Sequence, residues 1–148
     1  MQIGVIGASE CDDTLEKIAE EAGRLIAKSG AVLVCGGRGG VMEAACRGAK
    51  DEGGITVGIV PDMSPGNSYL GAVIKSNLGI ARNALVVGSS DAVIAIGGAY
   101  GTLSEIGMAL KMEIPVFGID TWDIPGVVSC ENPEEAVSKA ILAAENRL

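Results

Sequence analysis

The stretch Gly97-Gly98-Ala99-Tyr100-Gly101-Thr102-Leu103-Ser104-Glu105 sets a glycine-rich turn just ahead of a carboxylate. The apolar run Ala92–Ile96 leads into it as a buried strand would, and the residues from Thr102 onward read as a helix. A strand–turn–helix junction of this kind points backbone N–H groups outward and favours an anion. The acid beside it has two readings. Either Glu105 works on a phosphorylated molecule, or it closes a capping box in which it folds back onto Thr102.

A second glycine-rich loop, Gly36-Gly37-Arg38-Gly39-Gly40, follows the apolar run Ala31–Cys35. Its glycines let a ligand approach the backbone closely, and Arg38 is placed either to grip a phosphate or to point into solvent. The plainer alternative is a tight strand-to-helix connection. Arg82 sits among small and apolar residues in Gly79-Ile80-Ala81-Arg82-Asn83-Ala84-Leu85. A buried cation needs a partner, and Asp91 and Glu105 are the candidates. Ser9, in Gly7-Ala8-Ser9-Glu10, is suited to donate to a phosphate or to cap a turn. Tyr100 is suited to stack on a base or to cover its own loop.

Several chemistries are excluded by what the chain lacks. The loop after the first strand is not GxGxxG, and Gly23 to Ser29 lacks the second glycine of a phosphate-binding P-loop. There is no His, so Ser–His and Cys–His nucleophiles and His-based metal sites are out. Four cysteines lie far apart with no CxxC, which gives no zinc site, and no cofactor is implied. The net charge of −8, with no basic run, speaks against a nucleic-acid backbone as partner. No apolar run approaches transmembrane length and no signal-peptide pattern opens the chain; free thiols fit a reducing cytoplasm.

Elements must position these residues. Strands are expected at Gln2–Gly7, Ala31–Cys35, Ile55–Val60, Ala72–Lys75, Ala92–Ile96 and Pro115–Ile119, with a short edge strand at Val127–Cys130. Helices are expected at Asp13–Ser29 with Asp13 and Glu16 as its capping box, at Val41–Asp51, around Gly79–Val87, at Thr102–Met112, and after an Asn132 cap. Pro61–Gly71 reads as a loop on the rim of a pocket. Apolar strands alternating with helices predict an α/β, three-layer, doubly wound parallel sheet, a single domain over residues 1–148. Both glycine-rich loops then lie at carboxyl ends of strands, where such sheets bind ligands.

These residues together resemble the Lonely Guy phosphoribohydrolase superfamily. Gly97 to Glu105 occupies its PGGxGTxxE hallmark, and Arg82 matches its upstream arginine in type and spacing. Ser90-Asp91-Ala92, Gly36 to Met42 and Gly7-Ala8-Ser9 match further family positions. Gly97 stands where the hallmark has proline, Ala99 where it has glycine, and Asn83 where lysine follows the arginine. Such departures look like a neighbouring branch with molybdenum cofactor carrier proteins, which bind a phosphorylated pterin without turning it over. The resemblance implies a Rossmann-like fold and a homodimer or larger assembly. It also implies either hydrolysis of a nucleoside 5′-monophosphate by Arg82 and Glu105 or carriage of a phosphorylated ligand. In both, Gly7, Ser9, Gly36 to Gly40 and Gly97 to Thr102 would hold the ligand.

Overall fold

Runs of Val, Ile and Ala without polar alternation make strands that are buried on both faces, and these pair in parallel through helical crossovers. The computed structural model, which describes residues 1–148, contains β1 (Gln2–Gly7), α1 (Asp13–Lys28), β2 (Val32–Cys35), α2 (Val41–Asp51), β3 (Thr56–Val60) and β4 (Ala72–Lys75). A 3-10 turn (Gly79–Arg82) leads into α3 (Asn83–Gly88). Then follow β5 (Ala92–Ile96), α4 (Tyr100–Lys111), β6 (Val116–Ile119), β7 (Val127–Ser129) and α5 (Pro133–Glu145). All strand pairs are parallel, in the order β4-β3-β2-β1-β5-β6-β7.

The order turns around at β1, which pairs with β2 on one side and β5 on the other. Val5 is level with Cys35 and Gly7 with Ile96, so the loops leaving β1, β2 and β5 open side by side. This is the switch point at which doubly wound sheets receive ligands. One core layer packs α1, α2 and α5 on the sheet; a smaller one packs α3 and α4 on the other face.

α1 and α2 approach closely enough for backbones to touch. A Cβ on Gly23 would overlap the Ala45 carbonyl, and one on Gly48 the Glu20 carbonyl. Arg47 ties the same pair by donating to Glu16 at 2.8 Å and Glu20 at 2.7 Å.

Three local expectations change. The α1 cap is Asp12, not Asp13: its side chain accepts from the Leu15 N–H at 2.9 Å. The helix expected around Gly79–Val87 breaks into the 3-10 turn and α3, meeting at Arg82 and Asn83. α4 starts at Tyr100, two residues before the expected Thr102, because Gly97 and Gly98 (φ +55° and +108°) have already turned the chain. Asn132 caps α5 as expected, accepting from the Glu135 N–H at 2.8 Å.

Candidate functional site

Glu105 cannot close a capping box, because Thr102 and Glu105 both lie inside α4. Its side chain is only 8% exposed, with Oε1 3.9 Å from Nη1 of Arg82, whose side chain is 10% exposed. The other candidate partner, Asp91, instead accepts the Gln2 backbone N–H at 2.8 Å. Arg82 Nη1 also donates to Oδ1 of Asn83. Asn83 in turn donates to Ser104 Oγ at 3.1 Å, and Ser104 to the Gly101 carbonyl at 2.6 Å. A polar chain thus holds the guanidinium to the first turns of α4. Arg82 Nε is buried and has no partner.

Burial dominates the electrostatics of the pair. It pushes the Glu105 carboxyl up to about 7, with Arg82 pulling only partly the other way. It likewise pushes Arg82 down, against the attraction of Glu105. Desolvation therefore exceeds the pairing on both partners, as expected for an ion pair at nearly 4 Å in a dry site. Near neutral pH Glu105 exists in both protonation states.

Arg82 and Glu105 stand in a cavity of about 340 Å³ at the switch point. Of the residues singled out in the sequence, Gly7, Ser9, Arg38, Ala99, Gly101 and Thr102 share its wall with them. Arg38 is half-exposed, 3.9 Å from Asp62. Gly36 lies beneath the guanidinium: a Cβ there would be 2.9 Å from Arg82 Cζ. Gly37 and Gly39 line a smaller hollow with Arg38, and Gly40 faces another towards Glu43 and Arg47. Gly97 and Gly98 carry the turn. Tyr100 projects outward and stacks on Trp122. Sequence reasoning missed Met42 on the cavity wall, the bridging work of Asn83, and Trp122. Adjacency to Arg82 was the signal for Asn83; nothing in the sequence tied Trp122 to the cleft.

The two helices that open onto the cleft differ at their N-termini. The first amide of α2, Val41 N–H, donates to the Ala8 carbonyl at 3.0 Å, so protein already occupies that position. In α4 the cap residue Ala99 has only a methyl group and makes no capping hydrogen bond, and the Leu103 N–H is bonded to the Ala99 carbonyl at 3.0 Å. The amides ahead of it have no intrahelical acceptor. Carbonyls in this turn are taken from outside: Thr121 Oγ1 donates to Gly97 O at 2.6 Å and Trp122 Nε1 to Ala99 O at 3.1 Å.

A seven-stranded doubly wound sheet with a polar cleft at its switch point defines a Rossmann-like domain. The chain belongs to the SLOG cluster4 family, which matches residues 1–146. The molybdenum cofactor binding protein of Rippkaea orientalis is similar in structure, with TM-score 0.89 and 39% identity over 95% of this chain and 96% of that one. The molybdenum cofactor carrier protein of Chlamydomonas reinhardtii gives TM-score 0.89 and 30% identity over 97% and 98%. A cytokinin riboside 5′-monophosphate phosphoribohydrolase of Rhodococcoides fascians is 34% identical over 100 residues, 60% of this chain and 48% of that protein. The likeness to the Lonely Guy-like proteins and their carrier branch therefore holds. No helix is long and apolar enough to cross a membrane, and all four cysteines are free thiols.

Proposed function

We propose that this chain binds and carries a small phosphorylated ligand, of which the molybdenum cofactor is the leading candidate, without turning it over. The observation that carries this reading is the nine-tenths buried Arg82, its Nε unpartnered, beside the open N-terminus of α4. A phosphate on the amides of Gly98 to Thr102 gains from the helix end, and Arg82 supplies opposite charge where water does not screen it. Arg38, Ser9 and Gly7 close the phosphate side, and Gly36, Gly37, Gly39 and Gly40 shape the loop that carries Arg38 to the cleft. Neutral Asn83, fixed between Arg82 and Ser104, gives the site rigidity and no proton-transfer group. Likeness to the two cofactor proteins over almost the full length supports the same reading.

A second reading, hydrolysis of a nucleoside 5′-monophosphate to base and ribose 5-phosphate, is favoured by one fact: Arg82 and Glu105 meet in the cleft. Cleavage builds positive charge on the ribose, which an ionised Glu105 would stabilise while Arg82 holds the substrate. The partial likeness to the phosphoribohydrolase supports it. Action on a small ligand rather than nucleic acid, assembly as a homodimer or larger, and a reducing cytoplasm all belong to the proposal.

Equilibrium dialysis against molybdenum cofactor, paired with incubation with AMP, tests both readings. Stoichiometric cofactor retention that Arg82→Ala lowers at least tenfold, with no adenine released, is the expected result. Adenine release abolished by Glu105→Ala would replace carriage with catalysis. Neither binding nor release overturns both.

A further inference from the structure

We propose that Tyr100 and Trp122 form the ring-binding half of the ligand site, stacking a flat heteroaromatic ring whose phosphate sits at the N-terminus of α4. The proposal rests on the reading that a phosphorylated ligand occupies that helix end.

Aromatic side chains are scarce in this chain: one Trp, two Tyr and one Phe. Phe117 is buried in the sheet, and Tyr69 is covered by the cations of Arg47 and Lys50, each 5.9 Å from its ring centre. The remaining two meet each other at the cleft rim, ring centres 6.1 Å apart and planes inclined by 29°. Tyr100 is 81% exposed. Trp122 has its one polar group satisfied by the Ala99 carbonyl, and neighbouring Thr121 is anchored to Gly97. The indole is thus locked to the same turn that presents the amides of α4. An anchored, half-buried indole beside an exposed phenol ring forms a stacking surface.

The charge pattern separates the two halves. Arg38 and Arg82 lie on the β1–β2 side of the Gly97–Gly101 turn. Beyond it, past the ends of β6 and β7, a cavity of about 490 Å³ is lined by Trp122, Asp120, Asp123, Thr121 and Ser129, with no cation. That lining repels a second phosphate. Its carboxylates and hydroxyls accept from N–H and amino groups on a ring edge, as pterins and purines present. Tyr100 follows the cap residue Ala99 directly and Trp122 donates to the Ala99 carbonyl, so both rings are attached to the turn that carries the phosphate-binding amides.

Because Trp122 is the sole tryptophan, its fluorescence reports the platform directly. Ribose 5-phosphate, AMP and GMP are titrated into the full chain, with calorimetry alongside. The expected result is quenching by both nucleotides but not by ribose 5-phosphate, and nucleotide affinity at least about tenfold higher. Tyr100→Ala, at an exposed position, and Trp122→Ala remove that gain, read by calorimetry as the ratio of nucleotide to ribose 5-phosphate affinity within each variant; Trp122→Phe keeps most of it. Nucleotides that bind no tighter than ribose 5-phosphate, or a gain that survives both alanine variants, overturn the platform while the phosphate reading stands. If none of the three ligands binds, the phosphate reading falls and the platform falls with it.

Discussion

Gly36–Gly40 and Gly97–Gly101 are both rich in glycine and both follow the end of a strand, yet they do different work. In the first loop neighbours fill the space that each missing side chain leaves. The Arg82 guanidinium covers Gly36, Val60 lies 2.8 Å from a Cβ on Gly37, and the Ala8–Ser9 backbone presses on Gly40. In the second loop Leu15 lies against Gly97 and the Thr102 side chain against Gly98, while a Cβ on Gly101 would meet nothing within 4 Å. Glycine in one loop permits protein to approach protein; in the other it leaves room in front of a helix end. A count of glycines does not separate these uses, but what stands opposite each of them does.

The comparison breaks most decisively at Gly40. A side chain there has φ +62° to tolerate and would sit on the Ala8 carbonyl oxygen, 2.5 Å from the Ser9 carbonyl carbon. Gly40→Ala is expected to cost more than about 4 kcal/mol and to lower Tm by roughly 10 °C or more in calorimetry. A near-normal Tm would show that the first loop is as open as the second.

Glu105, behind the second loop, comes next. Its carboxyl moves from an ordinary 4.5 to about 7 on folding. The folded chain therefore holds a proton that the unfolded chain has released. The stability linked to that proton is complete below pH 4.5 and is lost as pH rises through 7, leaving a penalty of about 3 kcal/mol. Glu105→Gln, neutral throughout, should melt with the wild type near pH 4 and roughly 5 to 10 °C above it at pH 8. Equal melting at both pH values would mean that Glu105 is not desolvated and that the cleft carries no stored cost.

Gly101→Ala gives the smallest change in stability and the sharpest contrast. Early in α4 and unobstructed, it should stabilise the fold by up to about 1 kcal/mol. Its methyl group nevertheless crowds the helix end, and ribose 5-phosphate affinity should fall about tenfold by calorimetry. Lost stability would make the second loop a packing element like the first.

The strands were legible because Val, Ile and Ala run unbroken through them, but their order was not: which crossover returns to which side of β1 is decided by packing. Thr102-x-x-Glu105 misled because a cap and two successive turns inside a helix share that spacing, and only the turn at Gly97–Gly98 decides where the helix begins. Apolar neighbours marked Arg82 for burial. Its spacing to Glu105 entered through family likeness, since nothing in local pattern joins a 3-10 turn to a helix beyond the next strand. Asn83–Ser104 and Ala8–Val41 are contacts between segments remote in sequence, and no periodicity encodes them.

The glycines that bring α1 and α2 into backbone contact have a consequence for the cleft. Helices locked at Gly23 and Gly48, and clasped by Arg47, leave no side-chain layer between them to slide or repack. The two behave as one slab, and the Gly36–Gly40 wall is fixed to its edge through Val41. A ligand entering from solvent meets a wall whose shape was set when the chain folded, so little of its binding free energy is consumed in ordering that side of the site.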